Sequence, residues 1–130
     1  MGLLAGVHHV AIICSDYAVS KRFYTQVLGL EIMREVFRGE RQSYKLDLAL
    51  NGTYIVELFS FPRPPERLSG PEAAGLRHLA FGTANLGEVL KMLDEKGVAY
   101  EPPRLDEFTG KRFTFIADPD GLPIEFYETT

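Results

Sequence analysis

The chain has no tryptophan and a single cysteine, and its 14 Lys and Arg are outnumbered by 18 Asp and Glu. Each shortage excludes something. Cys14 cannot form an internal disulfide, so stability must come from a packed core, and a reducing cytoplasm is the expected setting. A net charge of -4 with scattered basic residues leaves no concentrated patch for a phosphate backbone, which argues against nucleic acid as a partner. No apolar run approaches the ~20 residues that span a bilayer. The opening Met1-Gly2-Leu3-Leu4-Ala5 lacks the charged and long apolar regions of a signal peptide. There is no Gly-rich phosphate loop, and Ser15 and Ser43 lack the setting of a hydrolase triad. What remains, 130 residues with 45% hydrophobic and 25% charged side chains, suits one compact unit or two small modules too short to stand alone. A small molecule is the expected partner.

The chain repeats itself. Gly6-Val7-His8-His9-Val10-Ala11-Ile12 matches Gly75-Leu76-Arg77-His78-Leu79-Ala80-Phe81, and Tyr54-Ile55-Val56-Glu57-Leu58-Phe59 matches Leu122-Pro123-Ile124-Glu125-Phe126-Tyr127. The register holds within one residue across each half, the mark of a duplication. Each half predicts a first strand (Val7 to Ile13, Leu76 to Phe81) and then a helix opened by Asp16 or Asn85 and stopped by Gly29 or Gly97. Three short strands follow, the last entered through Asn51-Gly52 or Asp120-Gly121. The pattern is βαβββ twice, an α+β fold. Residues of about 5–61 and 75–128 form the repeats, and the Pro-rich stretch 62–74 joins them within one domain.

Strand side chains alternate faces. One face of each half is apolar enough to pack its helix. The other presents His9 with Ala11 and Ile13 and Glu57 with Phe59, or His78 with Ala80 and Glu125 with Tyr127. A carboxylate on a largely apolar strand needs a partner. Two sheets curving toward each other would gather two imidazoles and two carboxylates, a donor set for one divalent first-row transition metal. Positions left open for water or substrate would make such a site catalytic. A lone strand Glu or His is more often an ordinary polar residue; recurrence in two diverged halves is what favours the metal. His8 shares the helix-facing side with Val10, and its counterpart is Arg77, so it is read as a strand-edge residue.

His9-Val10-Ala11-Ile12 with Asp16, Phe23-Tyr24 with Leu28-Gly29, Val56-Glu57-Leu58, Arg77-His78-Leu79-Ala80-Phe81, and Asp118-Pro119-Asp120-Gly121 followed by Ile124-Glu125 together resemble the vicinal oxygen chelate superfamily, most closely its glyoxalase I branch. The spacing from His9 to Asp16 fits that pattern, and His8 does not. The resemblance implies the glyoxalase/bleomycin resistance fold, a curved, partly open mixed sheet around the metal. It implies His9, Glu57, His78 and Glu125 as ligands of Zn, Ni or Co, with Mn or Fe also compatible, and a homodimer. The implied activity is a lyase or isomerase moving the proton on the carbon beside a carbonyl, through an enediolate, in a small α-oxo or α-hydroxy substrate. Glu125 is the first candidate for the base and Glu57 for the opposing acid or base. Where glutathione-using members carry polar contacts, this chain has Ile13, Phe61, Ala74 and Pro103, so the implied pocket is more apolar and a glutathione adduct is not the expected substrate. An acyl-thioester epimerase, and a non-catalytic antibiotic-binding module, are the alternatives.

The expected pocket residues are Ile13, Phe59, Phe61, Tyr127 and Arg112. Arg38, Arg41 and Tyr44 are further candidates for the pocket mouth. Arg63 and Arg67 are expected to face solvent, and Cys14 to be buried against the helix.

Overall fold

The computed structural model describes residues 2–130, which divide into two compact units, 2–66 and 67–130. In the first unit, β1 (Val10–Cys14) leads into α1 (Tyr17–Arg22) and then into β2 (Glu31–Arg38), β3 (Ser43–Leu50) and β4 (Thr53–Ser60). In the second, β5 (Leu79–Thr83) leads into α2 (Leu86–Glu95) and then into β6 (Arg104–Leu105), β7 (Arg112–Ala117) and β8 (Pro123–Glu128). The two four-stranded sheets are mixed and open, with orders β1-β4-β3-β2 and β5-β8-β7-β6. In each, the first strand runs parallel to the last and the other neighbours are antiparallel. The βαβββ pattern read from the sequence is thus present twice.

The helices begin where the capping residues predict. Asp16 accepts from the backbone of Val19 and Asn85 from that of Glu88, supplying acceptors that the first helical turn lacks. They stop at Gly29 and Gly97, whose φ of 73° and 68° lie in the left-handed region that glycine enters without strain. The first helix does not stay α-helical to that point. From Phe23 to Val27 it widens into a π turn, with Leu28 N bonded back to Phe23 O. This turn buries Phe23 and Tyr24 side by side, whereas a regular helix would have paired Phe23 with Val27.

Alternation along the strands sorts core from site. Ile12, Cys14, Leu46, Leu48, Val56 and Leu58 are buried on the helix side of the first unit, as are Ile116, Ile124 and Phe126 in the second. Two turns fix the registers of the last strands. Asn51 and Gly52 both have positive φ, as a tight hairpin requires. The buried Asp118 accepts from the backbones of Asp120 and Leu122 at 2.9 Å each, closing the turn before β8. The β6 strand is only two residues long, because Pro102 and Pro103 just before it have no N–H to give a ladder.

A pair of tyrosines fastens α1 to its sheet. Tyr17 stacks on Tyr44 with ring centroids 4.2 Å apart and donates to Glu35, which also accepts from Lys21 at 2.7 Å. Tyr44 is therefore a helix-side residue rather than part of a pocket mouth. The bond from Lys21, and then that from Tyr17, hold the Glu35 carboxyl below its ordinary value. A depressed carboxylate contributes stability above its ordinary pKa of 4.5 and loses it as the pH falls. Glu35→Gln should accordingly be less stable than the wild type by about 0.5 kcal/mol at pH 7, and the gap should be smaller at pH 3, below the ordinary value of 4.5. Urea unfolding at the two pH values checks this; a gap that widens in acid would refute it.

Candidate metal centre

The strands begin later than the sequence suggests. β1 starts at Val10 and β5 at Leu79, so His9 and His78 sit just ahead of the ladder rather than within it. The ladders start at Val10↔Val56 and Leu79↔Ile124, although β4 and β8 themselves begin earlier, at Thr53 and Pro123. The parallel registers then do the same thing twice. Ala11 lies opposite Glu57 and Ala80 opposite Glu125, which brings each His against the Glu of its own unit. His9 Nε2 is 3.8 Å from Glu57 Oε1, and His78 Nε2 is 3.4 Å from Glu125 Oε1.

These separations suit a shared ion. Two bonds of about 2.1 Å to one metal hold their donor atoms roughly 3.0–3.4 Å apart. The second pair falls at the top of that range and the first is slightly wider. Imidazole nitrogen with carboxylate oxygen is chemistry that zinc and its first-row neighbours accept. Among the described residues, no three His, Cys, Asp or Glu side chains stand together as a complete cage would require; each unit by itself supplies two donors.

Around these equivalent pairs the two units differ. In the first, Asp47 on β3 lies opposite Glu57 and is only 4% exposed. Lys45 bridges the two carboxylates, 2.7 Å from Asp47 Oδ1 and 3.2 Å from Glu57 Oε2. Arg34 reaches the other Asp47 oxygen at 3.5 Å, and Tyr54 donates to Asp47 at 3.3 Å. The bond to Asp47 raises the proton affinity of Lys45 against the effect of burial, so Lys45 stays charged. Burial, and then the charges of Asp47 and Glu57, push the Tyr54 phenol well above its usual value, so it remains a donor. The Tyr54 ring also stacks on His9 at 4.9 Å, and His8 meets both rings edge-on. His8 and His9 share a hydrogen between their Nδ1 atoms, 2.9 Å apart.

In the second unit the same register positions hold aromatic rings. Phe115 lies opposite Glu125 and Phe113 opposite Tyr127. The His78 ring packs edge-on against Phe115 at 5.1 Å. Arg67 donates to the carbonyls of Leu76 and Arg77 at 2.7 and 2.9 Å, so this linker residue positions the chain just before His78 instead of merely facing solvent. Arg77 reaches His78 Nδ1 at 3.2 Å. An arginine can only donate, so here Nδ1 accepts and the Nε2 hydrogen points toward Glu125. A cleft of about 880 Å³ within this unit is lined by Arg67, Arg77, Tyr100, Glu101 and Phe115, so ligand space extends to a residue in contact with His78.

Of the expected pocket residues, Ile13 lies opposite Phe59 on the Glu57 face of its sheet, and Phe59 stacks with Phe61 at 5.8 Å. Tyr127 lies on the Glu125 face, where it donates to Asp106 at 2.8 Å and contacts Thr109. Arg112 does not join them. It occupies the other face of β7, bonded to Glu128 at 3.0 Å, because the parity that turns Phe113 and Phe115 toward the site turns Arg112 away. The residues that sequence reading missed are Lys45, Asp47 and Tyr54. Lys45 and Asp47 alternate with Leu46 and Leu48, and this period-two signal places them on the Glu57 face.

Asp47→Ala would leave Lys45 and Tyr54 without their common acceptor. We expect a loss of about 2 kcal/mol in urea unfolding, with a smaller loss in Asp47→Asn. A loss below about 0.5 kcal/mol would mean that the network carries no load.

The geometry has counterparts among known proteins. Residues 6–126 match the family model for the Glyoxalase/Bleomycin resistance protein/Dioxygenase superfamily. The chain is 60% identical over 126 residues to the uncharacterized protein YwkD of Bacillus subtilis, covering 97% of this chain and 98% of that one. The crystal structure of a glyoxalase family protein from Enterococcus faecalis superposes with a TM-score of 0.90 at 47% identity, covering 98% of this chain and all of that one. More distant relatives are Glyoxylase I 4 of Arabidopsis thaliana, 29% identical over 94% of this chain and 70% of that one, and 2-epi-5-epi-valiolone epimerase of an Actinomyces species, 26% identical over 92% of this chain and 76% of that one. With twin βαβββ units, a His–Glu pair at the same register of each, and a family match over nearly its whole length, the chain belongs to the Glyoxalase/Bleomycin resistance protein/Dioxygenase superfamily.

Proposed function

We propose that this protein is a metal-dependent lyase or isomerase of the glyoxalase type, which moves a proton on the carbon beside a carbonyl in a small α-oxo or α-hydroxy substrate. The observation that carries the reading is the His–Glu pair repeated at one register, at 3.8 and 3.4 Å. His9, Glu57, His78 and Glu125 would hold one divalent ion, half the donors from each unit, whether the second half comes from the same chain or from another copy. The ion, when bound, would take two neighbouring substrate oxygens and withdraw charge from the carbonyl.

The protein groups divide the remaining work. Glu125 lies opposite Ala80 and Phe115, has His78 at 3.4 Å, and among the described residues has no lysine or arginine within ion-pair distance of its oxygens, so it would be the carboxylate that takes a proton from carbon. Glu57 is tied to Lys45 at 3.2 Å and would stay in place to hold the ion. The rings beside each pair, Phe59 and Phe61 in the first unit and Phe113, Phe115 and Tyr127 in the second, would keep water from a substrate held there, which would strengthen charge interactions. Returning the proton to the opposite face of the same carbon would be an epimerisation. The relative named as an epimerase makes that the second reading.

Metal analysis should find bound divalent metal in the wild type and affinity lowered at least about tenfold in Glu125→Gln. Solvent deuterium should enter methylglyoxal–thiol adducts or α-hydroxy ketones with the wild type. Exchange should fall at least about a hundredfold in Glu125→Gln reloaded with metal. A wild type that binds no metal would sink the reading, and metal without exchange would remove the enzymatic part.

Arg77→Ala provides a separate check. The Arg77 contact holds the hydrogen of His78 on Nε2, the atom a metal needs bare. Removing it should tighten metal binding about threefold in competition with a chelator; weaker binding would contradict the assigned tautomer.

A further inference from the structure

The Glu57 face of the first unit carries three cations, and two of them are committed. Lys45 is shared by Asp47 and Glu57, and Arg34 reaches Asp47. The third, Arg38, has no carboxylate partner among the described residues. Its guanidinium lies over the rings of Phe59 and Phe61, 4.8 and 5.8 Å from their centroids. It donates once, from Nη2 to Ser43 Oγ at 2.9 Å, and its Nε is buried without an acceptor. A guanidinium has five N–H donors, and stacking fixes its plane without using any of them. Arg38 is therefore held rigidly, partly desolvated, and still has hydrogens to give. Arg104 in the second unit also lies over an aromatic ring, that of Phe113, but it has Glu101 within 3.9 Å and is 58% exposed.

Position gives this free cation a use. Phe59 follows Glu57 by two residues on the same face, about 7 Å along the strand. A molecule with one end at Glu57 would run along Ile13 and Phe59 and meet Arg38 at its other end. We propose that Arg38 is a specificity-determining residue, and that the substrate carries an acidic group, carboxylate or phosphate, roughly 7 Å from the oxygens held at Glu57. This rests on the metal-site reading above and narrows it. The substrate is a small acid, its chain lying on the Phe59–Phe61 platform and its charge on the guanidinium fork, which suits either anion.

The test uses hydroxamates, whose two adjacent oxygens occupy the metal end. Glutaric monohydroxamate, its phosphonate-ended analogue and an uncharged alkyl hydroxamate of the same length are titrated calorimetrically into zinc-loaded protein. At least one acid should bind the wild type at least about tenfold more tightly than the uncharged compound, and whichever does so identifies the acidic group. Arg38→Met should bring that acid down to the affinity of the uncharged compound and leave the latter within about twofold, while Arg38→Lys restores part of the preference. Equal binding of all three by the wild type, or a loss in Arg38→Met that falls alike on charged and uncharged compounds, would overturn the proposal. Zinc content is measured on every sample. Absent zinc would count against the metal site itself, whereas zinc bound without a charge preference would remove Arg38 alone.

Discussion

A histidine placed just ahead of one strand faces a glutamate on its neighbour only while the pairing of the two strands is held in one register. That constraint governs the whole arrangement. The parallel pairings of β1 with β4 and β5 with β8 set Ala11 opposite Glu57 and Ala80 opposite Glu125. The helix between β1 and β2 has to be a crossover, since a parallel neighbour cannot be reached by a hairpin. The tight turns before β4 and β8 have to be the length they are, because a slip of one residue would turn each Glu into the core. The small alanine opposite each Glu leaves its carboxylate room on the open face. The core and the site are thus opposite faces of one register.

Duplication supplied two equal pairs, and the surrounding residues made them unequal. The first Glu lies within a charged network of Lys45, Asp47, Arg34 and Tyr54. The second lies among Phe115, Phe113 and Tyr127. A carboxylate clamped by an ammonium group gives a site its geometry, and one set among rings keeps its freedom to move. Such a difference in setting can give two chemically identical side chains different roles.

Much of this was legible in the chain. Asp16 and Asn85 cap helices, Gly29 and Gly97 end them, and alternation puts His9, Glu57, His78 and Glu125 on the non-core faces. These readings succeed because each depends on local chemistry or on period-two parity. What was not legible depends on partners distant in sequence. The seating of Tyr44 against Tyr17 and the anchoring role of Arg67 follow from contacts that no pattern of spacing reveals. Arg112 misled because a basic residue beside aromatic strand positions looks like a pocket residue until its parity is traced to Glu128. The π turn at Phe23 is likewise set by how Tyr24 fits the core, where it is fully buried.

The prolines before β6 have an effect well beyond the site. Each open sheet has two edge strands, and in β2 and β6 the outer backbone groups form a row that can recruit strands from other molecules. In the second sheet Pro102 and Pro103 shorten that edge to two residues, too little to template a ladder. In the first sheet the outer strand, β2, is eight residues long and exposed, but it is studded with Glu31, Arg34, Glu35 and Arg38. Adding a second such strand parallel and in register would set like charges against one another. The β6 edge thus resists parallel strand addition by brevity and the β2 edge by charge.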